Sequence, residues 1–352
     1  MRADSITIGY LYYRFYPVTG GATIHGYYLA RELNRLGYTL LKINGEPDPY
    51  SVKYPQSIRG ALKLFRESDV IYLRADYFIK LRNILGAAAL LSGKKVIVEL
   101  NAPSDELHLF GKSERYIRTA DKIASWLLKR ADAVITVSEP IKSYCEEALQ
   151  LRNVELVENG GEEFSEKIIP SMPVKDKMGY ILRKYTRRAV WAGSLNQMQD
   201  LEILREIAAA LPDELAVILI TDEKKLPQFL EEIPSNIFIF HQLARKDVEY
   251  IIKQCQAGFA FYRSYPWSRW GVYNSSLKLF EYLNNGLLAF TNIEGTTTQK
   301  KYPNFKKVAS AEEIIEIMRR DESWEVRAVD KRRWEDVANE TDKIIHSVNR
   351  ET

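Results

Sequence analysis

Two successive series of short apolar runs, each run followed by a stretch of helical periodicity, constrain this chain more than any other feature. The first series reads Ile6–Tyr12, then TLLKIN, DVIYLRA, KKVIVELN, DAVITVS and VELVEN; the second reads RAVWAGS, LAVILIT, NIFIFHQ, AGFAFYR and LLAFTN. The runs are apolar throughout rather than alternating, as strands are when helices cover both faces of a parallel sheet. Parallel neighbours require a crossover, and the intervening helical stretches supply it. The expected fold class is α/β, with two doubly wound, Rossmann-like domains. At 352 residues and 46% hydrophobic content the chain has the length and core material for both. The first domain is expected over 1–163. A charged, proline-containing linker, SEKIIPSMPVKDKMGYILRKYTRR, follows over 164–188, then the second domain over 189–330 and an amphipathic tail over 331–352 with Trp334.

Ligands of doubly wound sheets lie beyond the carboxyl ends of the strands, and two such domains facing each other create a cleft there. In the first half, those positions hold Gly20 and Gly21, Arg74 and Asp76, Asn101 to Glu106 with His108, Ser138 and Glu139, and Asn159 to Glu162. Paired glycines at a strand-to-helix turn let a ligand approach the backbone, or simply make a tight turn. In the second half, Gly193 and Ser194 follow one strand and Gln242 to Lys246 follow another.

The stretch from Ala260 to Asn292 adds a loop with Arg263 and Arg269, then a helix opening near Ser275. Ser275 and Ser276 precede an apolar face of Leu279, Tyr282 and Leu283, with Lys278 in the first turn. Unpaired N–H groups and the positive dipole end make such a helix start a phosphate site. A serine-capped core helix with solvated Lys278 and Glu281 fits the same spacing. On the phosphate reading, Gly193, the helix start and Lys278 form a diphosphate cradle. The Glu281 carboxylate can then accept hydrogen bonds from the vicinal hydroxyls of a ribose.

The net charge of +3 is spread along the chain, which argues against a nucleic-acid partner. Cys145 and Cys255 cannot build a disulfide framework or a cysteine-rich metal centre, and His25, His108, His241 and His346 are scattered, so no metal site is expected. MRADSITIGY runs straight into a strand pattern and no apolar run reaches about 18 residues, so a cytoplasmic location is expected. The helix expected between Lys112 and Arg130 has an apolar side, Ile117, Ala120, Ala124, Leu127 and Ala131. Opposite it runs a stripe of Arg115, Arg118, Lys122, Trp126 and Lys129. That stripe is either a solvated face or a peripheral contact with anionic lipid at the inner face of the membrane.

These motifs, taken in order, resemble the retaining glycosyltransferases of the GT-B fold, specifically glycosyltransferase family 4 (group 1). TGGATIHGYYLARELNRLGYTL is similar to that family's Gly-Gly loop and first helix, and ADAVITVSE with VENGGEE to its interdomain strand and Asn-Gly turn. WAGSL is similar to its donor-domain opening, and SSLKLFEYLNNGLLAFTN to its nucleotide-sugar motif. The Trp334 tail resembles its terminal helix, which crosses back to the first domain.

The resemblance implies a hexosyltransferase-type enzyme that moves a sugar from a nucleotide-diphosphate donor to a sugar, lipid-linked or polysaccharide acceptor, without a further cofactor. A non-catalytic nucleotide-sugar binder or a GT-B sugar-nucleotide epimerase would share the fold. It implies Glu281 on the ribose, and Lys278 with the Ser275 and Ser276 amides on the diphosphate. Gly193 and Ser194 would border the diphosphate, Gln242 and Leu243 would flank the base, and Gly20 and Gly21 would close from the first domain. Asn101, Asp105, Glu106 and His108 fall on the acceptor side, with His108 near the reacting carbon. The family's second glutamate, eight positions before Glu281, is here Tyr273, followed by Asn274, and the basic residue usual after the Gly193 position is missing. Lys278 would then work alone, or Arg263 or Arg269 would substitute for the missing residue on the donor.

Overall fold

The computed structural model describes residues 6–11, 15, 16, 18, 20–78, 80–222, 233–273, 275–320 and 330–350. The chain divides into two compact units. Unit 1 comprises Met1–Asn159, Tyr265–Ser275 and Trp334–Thr352, and unit 2 comprises Gly160–Ser264 and Ser276–Arg333.

Unit 1 is built from β1 (Thr7–Leu11), α1 (Gly21–Arg35), β2 (Thr39–Lys42), β3 (Ser51–Lys53), α2 (Ile58–Glu67), β4 (Val70–Ala75), α3 (Leu81–Leu91), β5 (Lys95–Leu100), α4 (Glu114–Leu128), β6 (Ala133–Thr136), α5 (Glu139–Ser143) and β7 (Val154–Leu156). Among the described residues its strands form one parallel sheet in the order β3-β2-β1-β4-β5-β6-β7. Ile8, Val70, Ile71, Val96, Ile97, Val98 and Val134 are fully buried, as strands covered on both faces must be.

Unit 2 contains α6 (Met172–Lys184), β8 (Arg187–Ala192), α7 (Glu202–Ala210), β9 (Leu215–Thr221), β10 (Ile237–His241), α8 (Arg245–Lys253), β11 (Ala257–Ala260), α9 (Leu277–Asn284), β12 (Leu288–Thr291), β13 (Phe305–Lys307) and α10 (Ala311–Arg320). Its strands are also parallel, in the order β10-β9-β8-β11-β12-β13. The core gathers Trp191, Leu204, Ile207, Val217, Phe259, Phe290 and Ile314. The order reverses direction between β8 and β11. That switch point opens a crevice at the carboxyl ends of the two strands.

Several elements differ from the sequence expectation. Helix α6 occupies the segment expected as a linker. Pro173 sits in its first turn, where no N–H is needed, and Val174, Met178 and Ile181 form a buried face. Edge strands β3 and β13 each have two exposed residues out of three and so carry no apolar run. The helix expected to open near Ser275 begins at Leu277, with Ser276 as its N-cap.

The terminal helix α11 (Trp334–Arg350) packs within unit 1 against α1. Trp334 meets the rings of His25 and Tyr28, and Tyr38 donates to Asp342 at 2.6 Å. No helix among the described residues is long and apolar enough to cross a membrane.

Candidate functional site

In unit 2, α9 is fixed against the sheet by its own side chains. Tyr282 packs on Gly258 of β11, where an added Cβ would come within 2.3 Å of the ring, so only glycine permits the approach. The Tyr282 hydroxyl accepts from the Ala192 N–H at 2.9 Å, tying the helix to the last residue of β8. Asn284 donates to the Gly161 carbonyl at 2.9 Å, and a Cβ on Gly161 would strike the Phe280 backbone. Gly161, a ligand-edge position in the sequence with Asn159 and Glu162, docks α9, and Asn159 donates to the Ser275 carbonyl in unit 1 at 3.0 Å.

This anchoring aims the start of α9 at the switch point. Ser276 accepts from Leu279 N–H at 3.4 Å and from the Tyr262 hydroxyl at 2.6 Å, so of the first-turn amides, which have no partner within the helix, the cap takes that of Leu279 and leaves those of Leu277 and Lys278. The Lys278 ammonium donates to Gln199 Oε1 at 2.7 Å and lies 4.4 Å from the Trp191 ring centre and 5.7 Å from that of Tyr262. Desolvation in this largely apolar pocket pushes Lys278 from 10.5 down to about 7. Such a lysine gains most from an added anion.

Gly193 borders the ammonium directly: a Cβ there would stand 3.0 Å from Lys278 Nζ. Gly193→Ala is expected to swing the flexible ammonium aside. Stability should change by less than about 0.5 kcal/mol, while donor affinity falls about tenfold. Parallel denaturation and calorimetric titrations would show the split, and unchanged donor affinity would count against the cradle.

Glu281, one turn deeper, is 5% exposed and forms an ion pair with Arg245 at the start of α8. Arg245 also reaches Glu249 at 3.0 Å and lies over the Phe164 ring at 5.2 Å. Burial raises the Glu249 carboxyl, with the Arg245 charge opposing it. The turn before α8 contains exposed Gln242 in the left-handed region at φ 50°, an uncommon conformation for a residue with a side chain. Leu243 is half-buried beside it. Ser194 is exposed after β8, and exposed Arg263 follows β11 with its N–H on the Met198 carbonyl at 2.9 Å.

Thus unit 2 brings together Gly193, Ser276, Lys278 and Glu281 around α9. It adds Trp191, Gln199 and Tyr262, which sequence reasoning missed, and Arg245, which fell within the Gln242 to Lys246 stretch without a role of its own. Gln199 and Arg245 contact α9 side chains from 79 and 36 residues away. Only the strand-end and loop positions of these four residues hinted at them.

Other expected donor residues lie in unit 1. Arg269 donates to Asp105 from its backbone N–H at 2.9 Å and from Nε at 2.8 Å, and reaches Asp121 at 3.4 Å. Tyr273 is 1% exposed, and its carbonyl accepts from Ser138 at 2.6 Å. Burial, then the nearby Glu106 carboxylate, raises the Tyr273 phenol, and burial likewise raises Glu106. Ser275, also counted with unit 1, has a buried hydroxyl with no hydrogen-bond partner. Asn274 lies outside the described residues.

The remaining acceptor-side candidates are also placed in unit 1. His108 pairs with Glu114 at 3.0 Å. Asn101 is occupied by Glu99, which is fully buried and also accepts from Tyr72 at 2.6 Å. Burial alone would raise Glu99, but His25 at 3.1 Å, Arg74 and Tyr72 outweigh it and hold the carboxyl at about 2. Gly20, the N-cap of α1, exchanges hydrogen bonds with Thr23, and a Cβ there would meet nothing within 4 Å. Gly21 opens the helix and is exposed. On α4 the side chains of Arg115, Arg118, Lys122, Trp126 and Lys129 are exposed, as are Tyr116 and Ile123. Among the described residues no group of three or more His, Cys, Asp or Glu is placed to hold a metal ion.

No protein-family model and no curated protein matches this chain. Solved structures do. A glycosyltransferase from Rickettsia africae ESF-5 superposes with a TM-score of 0.66 at 12% identity, covering 99% of this chain and 100% of that one. Alr3699/HepE from Anabaena, solved in complex with UDP-glucose, gives 0.62 at 14% identity over 98% of both chains. AviGT4, a glycosyltransferase involved in Avilamycin A biosynthesis, gives 0.58 at 11% over 98% of both. At these identities the likeness is one of fold: two parallel-sheet, Rossmann-like α/β units, the GT-B fold of those structures.

Proposed function

We propose that this protein is a glycosyltransferase that uses a nucleotide-diphosphate sugar, transferring a hexose-type sugar with retention of configuration in the manner of family 4. The observation that carries the reading is the half-buried Lys278 ammonium at the start of α9, beside Gly193 and one turn from Glu281, at the switch point of the second sheet. The Lys278 charge and the first-turn amides would hold the diphosphate and take up the negative charge that develops on it as the glycosidic bond breaks. Glu281, oriented by Arg245, would bind the ribose hydroxyls, with Gln242 and Leu243 against the base. His108, Asp105, Glu106 and Asn101 belong to the unit that would hold the acceptor, a glycan, glycolipid or other glycoconjugate. The exposed basic face of α4 would let that unit rest on an anionic membrane surface.

A thermal-unfolding screen against UDP, GDP, ADP, CDP and their sugars tests the donor. A ligand present at about 100 times its Kd adds about 2.7 kcal/mol to apparent stability, a shift of several degrees. One nucleotide series should raise the midpoint and the others should not. No response to any nucleotide would overturn the reading. Slow donor hydrolysis separates a transferase from a binder of the same fold, which would bind and not turn over.

A further inference from the structure

The segment Tyr265–Ser275 leaves unit 2 in sequence yet packs as part of unit 1. It is held at three points: Arg269 on Asp105, which is 1% exposed, the Tyr273 carbonyl on Ser138, and the Ser275 carbonyl on Asn159. Ahead of those anchors a tight turn, Ser268 N–H to the Tyr265 carbonyl at 3.0 Å, presents two rings. Tyr265 and Trp267 stack with centroids 4.9 Å apart and planes 19° apart, and the His108 ring continues the ladder 5.3 Å from Trp267. All three side chains are half-buried, so the ladder keeps aromatic surface at the solvent boundary. Its rim carries polar groups, since His108 bonds to Glu114, which is largely exposed. In the same segment, the Trp270 indole lies 5.9 Å from Tyr144, and its N–H is buried with no acceptor.

Flat aromatic surface with an exposed carboxylate, Glu114, at its edge complements a pyranose ring. The C–H face of such a sugar is apolar and stacks on aromatic rings, and its equatorial hydroxyls hydrogen-bond at the rim. We propose that the Tyr265–Trp267–His108 ladder is the platform on which a sugar of the acceptor binds. The assignment rests on the glycosyltransferase reading above and specifies it: the acceptor presents a pyranose to unit 1. Arg269 is then a positioning residue, holding the segment through Asp105.

Saturation-transfer NMR on the full chain, with the methyl α- and β-glycosides of glucose, galactose, mannose and N-acetylglucosamine as probes, tests this without a known acceptor. At least one glycoside should receive saturation at its ring C–H protons. Its Kd should rise about tenfold or more in Trp267→Ala and recover in part in Trp267→Phe. Unfolding midpoints measured on both variants establish that each is folded. Two results would each overturn the platform: no glycoside binding to the unsubstituted protein, or equal binding by folded Trp267→Ala. A failed nucleotide screen in the unsubstituted protein would instead remove the transferase reading, whatever the glycosides do.

Discussion

Lys278→Ala is expected to lower turnover about 10²- to 10³-fold, the effect of removing one oriented donor from developing negative charge, while leaving the protein folded. The side chain is half-buried and bonds to Gln199 alone among the described polar groups, so its loss opens no unpaired charge. The pH dependence gives a second signature. With its pKa at about 7, Lys278 is half neutral near pH 7 in the free protein, and a bound diphosphate favours its charged form.

Donor binding above pH 7 should therefore take up a proton, and affinity for a nucleotide sugar should fall as pH rises through that value. The free protein behaves in the opposite sense. An unfolded lysine retains its ordinary value, so the unfolded chain binds more protons than the folded one between about 7 and 10.5. This group therefore makes the free protein more stable as pH rises across that window. Calorimetry in buffers of different ionisation enthalpy counts the proton directly. Proton uptake that persists in Lys278→Ala would remove Lys278 from the phosphate site.

The parallel sheets were legible because residues such as Val96, Val98, Val217 and Ala257 are buried among helices on both sides, which leaves an unmistakable apolar run. Helix α6 was hidden by the usual sense of proline as a breaker, although Pro173 sits in the first turn, where it is tolerated. The helix start at Ser276 and the roles suggested for Lys278 and Glu281 were accessible because capping and apolar spacing are local. The partners that give those residues their chemistry were not. Trp191 and Gln199 reach Lys278 only after β8 is placed beside β11, and Arg245 reaches Glu281 from the start of another helix. Arg269 and Tyr273 lie within a few residues of Lys278, but the chain passes into unit 1 at Tyr265 and returns at Ser276, so their hydrogen bonds to Asp105 and Ser138 could not be read from sequence.

Glu281→Gln should raise the donor KM about 10- to 100-fold with a smaller change in kcat, because the ribose lies away from the breaking bond and its contacts are made in ground and transition state alike. It should also cost stability. The carboxylate is buried and its partner Arg245 would keep Glu249, whose own carboxyl is raised by burial and is the weaker counter-ion. Loss of a charged hydrogen bond at such a site costs about 1.5–3 kcal/mol. The 3–5 kcal/mol of a wholly buried pair is not expected, since Arg245 retains one carboxylate and some exposure.

Arg245→Gln separates the two effects. It removes the Glu281 and Glu249 pairs together and should cost more stability, but it leaves the Glu281 carboxylate free to accept from the ribose, so donor KM should rise less. A double-mutant cycle should then show strong coupling in unfolding free energy and an asymmetric pattern in donor affinity, with Glu281→Gln dominant. If the two substitutions raise KM equally, Glu281 acts only as a strut for α8, and the ribose contact belongs to Arg245 or to the Gln242 turn. If neither changes donor affinity while both destabilise, the pair is structural and the sugar nucleotide lies elsewhere on the second sheet.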